Sequence, residues 1–478
     1  MELLMRHTSR ACQNTMHNIH WSVAEYNSNN AWYYNGNNGN VSYGNKFYSY
    51  SVRPLLALYQ ENDHMLQDYP VPYTEVYDAY LQCRRKKRNK PSQLIFEMYR
   101  CEGLIELCHQ INLECLKMKR SIAFIITQPK WREVLAADFR DRVAQTLLVR
   151  KLLPYLEKYE SRDSYSCRVG KGGLRAAYQF REYVREVSEN FTKDCYLFSL
   201  DFQGFFPSID TDFWIPKLVK WIEDVYEEAD WEVVRYMANT IYRHRPQADC
   251  VKKSPEWMWE HIEPSKILVG NSSPIGLAIG NVTSQTLANF ITTPLLRILE
   301  SLGMRFVCYT DDIKGVVIHK KEFMALLPWL REFCWANLRL RLHPKKFDIQ
   351  HFTKGIRVGA FKVRFDRILP NDRIAHNWLY KTQRFVGLIG RKPESVWGFK
   401  EEFVCVVNSY LGLLKWCNSY RLRTAGVDAI KNSEWSKYVE FDKDNLVCHL
   451  RDKYTQKAIC IRQLKEYKRE ISVLSLAA

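Results

Sequence analysis

Two short apolar runs in this chain end in carboxylates, and that arrangement constrains the fold more than any other feature. Cys195-Tyr-Leu-Phe-Ser-Leu200 is followed by Asp201. Arg305-Phe-Val-Cys-Tyr309 and Lys314-Gly-Val-Val-Ile-His319 flank Thr310-Asp311-Asp312, a pattern that predicts strand–turn–strand. Short apolar runs bounded by turn signals read as buried strands. Adjacent aspartates repel each other, and a fold accepts that readily when a cation sits between them. Three carboxylates brought together by neighbouring strands suit Mg²⁺, which takes few protein oxygens and leaves positions for substrate phosphates. A pair of such ions activates an attacking hydroxyl and steadies a leaving pyrophosphate in line. An Asp-Asp turn by itself is weak evidence, because hairpins often carry Asp for turn geometry. The order strand–Asp201, Gly-rich turn and helix, strand–Asp311-Asp312 is far more specific.

The 478 residues allow two to four domains, and a hydrophobic fraction of 46% is enough to build a core. No apolar run reaches the length of a membrane span, and Met1 to Arg10 lacks the apolar stretch of a secretory signal. The excess of 70 Lys+Arg over 53 Asp+Glu, a net +17, favours polyanionic partners. No strongly basic amphipathic helix stands out to favour a membrane surface instead. The 14 cysteines include no CxxC pair. Cys101, Cys108 and Cys115 fall near one helix face but lack close ligand pairs, so buried thiols in a reducing cytoplasm explain them better than a metal.

Ten of the 25 asparagines fall in the first 50 residues. Asn, Gly and aromatic residues alternate from Tyr26 to Tyr43, predicting short strands or loops, and residues 1–55 read as a separate segment. The pattern is helical from about Tyr73 to Cys115. Within it, Arg84-Arg-Lys-Lys-Arg88 is either a solvated linker or a phosphate-contacting patch. Ser121 to Gln128 reads as a strand, Gln128-Pro-Lys-Trp-Arg132 as a hairpin turn, and Asp138 to Tyr155 as a helix. Asn281 to Leu299 is helical, with Pro294 placed to kink or divide it. Lys320 to Leu338 is another helix, leading to the basic turn His343-Pro-Lys-Lys346. The C-terminal hundred residues are mostly helical, with Trp397, Trp416 and Trp435 as expected core anchors.

From Ser121 to about Val363 the chain resembles a reverse transcriptase. Leu200-Asp-Phe-Gln-Gly-Phe-Phe-Pro-Ser-Ile-Asp210 resembles the first catalytic palm motif, and Tyr309-Thr-Asp-Asp312 the second. Gly276-Leu-Ala-Ile-Gly-Asn-Val-Thr-Ser-Gln285 resembles the loop and helix that hold the incoming nucleotide. Lys345 and Lys346 match the basic turn after the catalytic hairpin, and Gly355 to Phe361 resembles the primer-grip hairpin. Ile279 and Gln285 stand where most reverse transcriptases carry Gln and Pro. The pattern Ile-Gly-Asn-x-x-Ser-Gln is similar to the enzymes of diversity-generating retroelements. So are Val407-Asn-Ser-Tyr-Leu-Gly412, Asn418-Ser-Tyr-Arg-Leu-Arg423, and Pro129-Lys-x-Arg132 with Asp141-Arg142.

The resemblance implies an α+β right-hand polymerase with fingers over 56–190, a ferredoxin-like palm over 191–365, and a helical thumb with a C-terminal extension over 366–478. It implies two Mg²⁺ ions, with Mn²⁺ as a substitute, held by a set comprising Asp201, Phe202, Asp311 and Asp312. Asp201 and Asp311 would ligate both ions, with Asp312 in support. The implied nucleotide set is Lys130, Arg132, Phe205, Phe206, Gly280, Gln285 and Lys345. Phe206 holds the gate position that selects deoxynucleotides, and its plainer reading is a core ring. Lys130 and Arg132 suit phosphate, Arg bidentately, and are otherwise ordinary surface charges. Lys345 and Lys346 are not distinguished. Ile279 removes amide hydrogen bonds near the nascent base pair, which relaxes discrimination and implies infidelity opposite template adenine.

The expected activity is RNA-directed DNA synthesis on a template-repeat RNA for mutagenic retrohoming. Expected partners are that RNA, the RNA–DNA hybrid, dNTPs and a small basic helical accessory protein, with no membrane. The expected setting is the cytoplasm, the gene being bacterial or phage-encoded. Residues 1–55, including Asn30-Ala-Trp32 and Val52-Arg-Pro54, resemble the variable region of the lectin-fold proteins these elements diversify, and are expected to do no catalytic work. A retron or defence-type reverse transcriptase is the near rival. An inactive RNA-binding scaffold on the same fold is the distant one. No nuclease constellation or maturase zinc motif is evident.

Overall fold

The computed structural model describes residues 66–85, 90–128, 130–391 and 396–454, and the backbone of three strands near the N-terminus. Those strands, β1 (Ile19–Glu25), β2 (Asn30–Asn35) and β3 (Asn40–Asn45), form an antiparallel meander. The remaining residues up to 65, the basic run beyond Arg85, Pro129 and the Trp397 side chain lie outside the described residues. The expected lectin-like region, including Val52-Arg-Pro54, lies outside the described residues apart from these strand backbones.

The chain folds as two compact units whose segments alternate along the sequence. One comprises residues 1–161, 202–297 and 331–342, the other 162–201, 298–330 and 343–478. In chain order the remaining strands begin with β4 (Ser121–Ile126), β5 (Arg132–Ala136), β6 (Tyr196–Leu200), β7 (Cys250–Lys252), β8 (Arg305–Tyr309) and β9 (Asp312–Val317). They continue with β10 (Asp348–His351), β11 (Ile356–Val358), β12 (Phe361–Val363), β13 (Ile368–Pro370), β14 (Val439–Phe441) and β15 (Cys448–Leu450).

In the first unit, β4 pairs antiparallel with β5, forming the expected hairpin, and parallel with β7. Alternate residues Ala123, Ile125 and Leu135 point into a core with Trp259, Ile262 and Leu268. The helix Phe139–Tyr159 follows, N-capped by the Asp138 carboxylate, which accepts from the Arg140 amide at 3.0 Å. Asp141 and Arg142 have structural partners. The Asp141 carboxylate is buried and accepts from the Lys119 amide at 2.6 Å and from Arg140 at 3.0 Å. Arg142 donates to the Ala137 carbonyl at 2.8 Å. The helix Val282–Ser301 runs on through Pro294 as one element.

The second unit holds a four-stranded antiparallel sheet in the order β10–β6–β9–β8. Taken in chain order within the sheet, these strands lie 4-1-3-2, the split βαβ arrangement of ferredoxin-like folds. β6 is apolar because both faces are covered. On one face Leu197, Val307 and Val316 pack with Ala176, Ala177 and Phe180 of the helix Gly173–Val187. From the other, Phe198 stacks on Phe323 of the helix Lys320–Phe333, with ring centroids 4.2 Å apart. Gly315 faces Phe198 across the β6–β9 pair, and a Cβ there would crowd the Phe198 ring.

Helices Asp372–Arg391, Val396–Leu414 and Tyr420–Lys431 surround a further core in this unit. Trp435 anchors it, stacked on Phe403 at 3.8 Å. Trp416 does not, contrary to expectation. It follows the end of the Val396–Leu414 helix and is 48% exposed, leaving its ring under Lys415. Trp378 fills that role, 1% exposed, with its indole N–H donating to the Leu422 carbonyl at 3.0 Å. Cys101 and Cys108 lie on one helix, Arg100–Asn112, while Cys115 lies beyond its end and is exposed. No helix among the described residues is long and apolar enough to cross a membrane.

Candidate active site

In the second unit, the register places Leu200 opposite Ile313, so Asp201 continues β6 toward Asp312 on the neighbouring strand. Tyr309 pairs with Asp312, which leaves Thr310 and Asp311 as a two-residue turn. Thr310 has φ +61°, a conformation that favours glycine and strains a β-branched residue. Such strain persists where surrounding contacts over-determine it. Here the Thr310 hydroxyl bonds the Ser166 hydroxyl at 2.6 Å, and the Cys308 thiol donates to the Thr310 carbonyl at 3.4 Å.

Segment 163–166 holds the turn from the side. Cys308 donates to the Asp163 carbonyl and accepts from the Tyr165 amide, both at 2.8 Å, extending the sheet beyond β8. The glycine-rich basic loop Arg168-Val-Gly-Lys-Gly-Gly173 follows, and a Cβ on Gly173 would stand 4.0 Å from the Tyr309 ring. Sequence reasoning missed this loop. Its signal was three glycines and a lysine just before a helix.

Two ammonium groups address the carboxylates. Lys346 reaches Asp201 at 2.9 Å, while the Lys345 and Lys346 amides donate to His343 Nδ1 at 3.1 Å. Of the two lysines, Lys346 is the one whose ammonium pairs with Asp201. Lys314 pairs with Asp312 and donates to the Ser199 hydroxyl. Lys314 is 7% exposed, an unusual residue in the middle of a sheet, and it shares the face of Asp312 two positions earlier on β9. A charge inside the apolar run Ile313 to Val317 was its only sequence signal. Ser199 and Lys314 also line a cavity of about 380 Å³ with Asp348, Gln350 and Arg357.

Among the described residues no three His, Cys, Asp or Glu side chains stand together as a ready metal cage. The donor type nonetheless fits a hard divalent cation. Asp201 and Asp312 offer carboxylate oxygens at adjacent strand ends, and each already draws a cationic group.

The remaining expected residues lie in the first unit. Phe202 and Phe205 are buried, and Phe202 bridges to Leu342. Phe206 is half-buried, its ring edge-on to Phe205 at 5.3 Å, and its carbonyl accepts from the Leu277 amide at 2.8 Å. The structure therefore brings Phe206 to the Gly276–Gly280 loop. That loop is clasped by β5: the Ile279 carbonyl accepts from Leu135 at 2.8 Å, and the Asn281 side chain accepts from Ala137 at 3.2 Å. Gly280 has φ +125°, and a Cβ there would lie 2.9 Å from the Leu135 carbonyl oxygen. Ile279 is half-buried, and Gly280 and Gln285 are exposed. Lys130 and Arg132 are exposed on the β4–β5 hairpin.

No family model matches the sequence, and no curated protein matches it. Among solved structures, the chain is similar to apo telomerase from Candida tropicalis truncated from its C-terminal domain. The TM-score is 0.39 and the identity 8%, over 54% of this chain and 56% of that one. For apo telomerase of Candida tropicalis the TM-score is 0.37 and the identity 8%, over 52% and 47%. Telomerase from Candida albicans in complex with the TWJ fragment of telomeric RNA gives 0.37 and 11%, over 72% and 64%. The chain spans less than two thirds of each of these chains.

Proposed function

We propose that this chain is an RNA-directed DNA polymerase that copies a template-repeat RNA into cDNA with adenine-directed errors, as in diversity-generating retroelements. The observation that carries the reading is the placement of Asp201 and the strained Thr310-Asp311-Asp312 turn at adjacent strand ends of a 4-1-3-2 sheet. Asp201, Asp311 and Asp312 would hold Mg²⁺, with Phe202 in the same set. When bound, the metal supplies charge neutralisation for the phosphates and lowers the pKa of the attacking hydroxyl.

The chain's own residues do the positioning. Lys346 lies on Asp201, where a cation favours developing negative charge on a leaving pyrophosphate. Phe206 and the Ile279–Gly280 segment form one neighbourhood in the first unit, which suits recognition of the incoming dNTP and its sugar. Ile279 presents an aliphatic surface where an amide would hydrogen-bond, so mismatches are less strongly rejected there. Template RNA, the RNA–DNA hybrid, dNTPs and a small basic accessory protein are the proposed partners.

Primer extension on an RNA template with sequencing of the products tests the reading. The wild-type chain should extend and misincorporate opposite adenine, Asp311→Ala should not extend, and Ile279→Gln should extend with fewer errors at adenine. Equal extension by wild type and Asp311→Ala would overturn the polymerase assignment. An unchanged error spectrum in Ile279→Gln would overturn the role given to that residue.

A further inference from the structure

The first unit carries an alternating row of cations and rings that the proposed chemistry does not use. Lys217 lies 3.8 Å from the centroid of Phe213, and Arg339 lies 5.4 Å from the same ring. Arg339 is also 6.0 Å from Trp335, and Arg341 is 4.5 Å from Trp335. The order is therefore Lys217, Phe213, Arg339, Trp335, Arg341.

The backbone holds this row in place. The helix Lys320–Phe333 ends in a π-helical turn, Cys334–Leu338, a geometry that recurs at functional sites. Arg339 then takes φ +56°, strained for an arginine. Leu338, Leu340 and Leu342 are buried, so the alternation turns Arg339 and Arg341 outward. The Trp214 indole N–H donates to the Leu338 carbonyl at 3.0 Å, tying the π turn to the helix Thr211–Val225 that bears Phe213 and Lys217. Lys217, Arg339 and Arg341 are exposed, and Trp335 is 45% exposed. Among the described residues none of the three cations pairs with a carboxylate.

We infer that this row is a binding site for single-stranded RNA, built from residues other than the three carboxylates. A guanidinium held over a ring can still donate its N–H groups to phosphate. Unpaired bases stack on guanidinium planes as well as on aromatic rings, irrespective of sequence, and Trp335 is 45% exposed beside Arg341. Three unneutralised cations on a chain of net charge +17 select a polyanion. The choice of RNA rests on the proposed function. An acidic peptide is the occupant the experiment must exclude.

The test is fluorescence anisotropy of the full chain with a labelled single-stranded oligouridylate, titrated at several salt concentrations. Primer extension is run on the same preparations. Each lost phosphate contact lowers the slope of log K against log salt by about 0.7 for a single strand. Lys217→Ala/Arg339→Gly/Arg341→Ala should therefore flatten the slope by about 2. Glycine is chosen at 339 because it accepts the positive φ. Trp335→Leu, which removes no charge, should weaken binding about tenfold. A control triple exchange of the exposed Lys320, Lys321 and Lys443 to Ala should leave the slope near that of wild type.

Equal slopes for the two triples would overturn the inference, because bulk charge would then explain the binding. Unchanged affinity in Trp335→Leu would also overturn it, as would displacement of a labelled acidic peptide but not of RNA. If the row triple unfolds, the exposed single exchanges Lys217→Glu and Arg341→Glu carry the same test. A wild-type chain that neither binds RNA nor extends a primer defeats the proposed function itself. A wild type that does both beside an unaltered row triple defeats only this site.

Discussion

Gly315→Ala is the sharpest test of how the Asp311-Asp312 hairpin is seated. Gly315 lies directly across from Phe198, and an added Cβ would stand 2.1, 2.3 and 2.9 Å from three carbons of that ring. The ring has little room to retreat. Phe198 is fully buried and already stacked on Phe323 at 4.2 Å. Overpacking a close-packed core costs roughly 1–3 kcal/mol, and three contacts this short place the exchange at the upper end. Alanine also restricts the unfolded chain, which offsets about 0.5 kcal/mol. The net expectation is a loss of about 2.5 kcal/mol in urea unfolding followed by tryptophan fluorescence. Phe198→Leu should relieve the clash. The double variant should then be about 2 kcal/mol more stable than the sum of the two single losses predicts. Because Asp312 lies on the same strand, primer extension by Gly315→Ala should fall even where the chain stays folded. A Gly315→Ala midpoint indistinguishable from wild type, or losses that simply add, would refute the packing argument.

Three further outcomes follow from other contacts. Burial pushes the Asp141 carboxyl up to about 6, against the Lys119 amide and the Arg140 guanidinium. The folded state then holds that proton more tightly than the unfolded chain, so stability rises as pH falls from above 6 toward the ordinary carboxyl range. Urea midpoints should show wild type gaining about 1 kcal/mol on Asp141→Asn between about pH 7.5 and about pH 5, and a loss instead would refute the assignment. Gly280→Ala meets both a positive φ and the Leu135 carbonyl, so it should destabilise by roughly 2 kcal/mol in the same assay and raise KM for dNTPs. Lys314→Met removes the ammonium from Asp312, and a divalent cation no longer competes with it. The Mg²⁺ concentration for half-maximal extension should fall, and a rise would show that Lys314 instead helps to form the site.

Much of the second unit's sheet was legible because its strands are covered on both faces and therefore read as apolar runs. β6, β8 and β9 fall within a residue or two of the runs that announced them. The strain at Thr310 was not legible, since nothing in Tyr-Thr-Asp-Asp states a positive φ. It follows from the two-residue register between Tyr309 and Asp312 and from Ser166, more than a hundred positions away in sequence. Lys314 was passed over for a related reason. A lysine in a strand reads as an edge or surface residue until its partners, Ser199 on another strand and Asp312 on its own, are seen. Trp416 shows the reverse error, because an aromatic residue predicts burial only when its element continues far enough to cover it. The Trp335 row was invisible because its cations are brought to the rings by a π-helical turn and a left-handed residue.

The alternation of the two units along the chain bears on how the protein can be made. The first unit is assembled from three stretches and the second from three, with crossings after residues 161, 201, 297, 330 and 342. Neither can therefore be obtained by cutting the gene at one place. During synthesis, the sheet that carries Asp201 lacks β10 until residue 351 has left the ribosome, so its central strand β6 waits with an open edge. A nascent chain stalled before that point would expose a hydrophobic strand edge, the kind of surface that chaperones bind and that aggregates form upon.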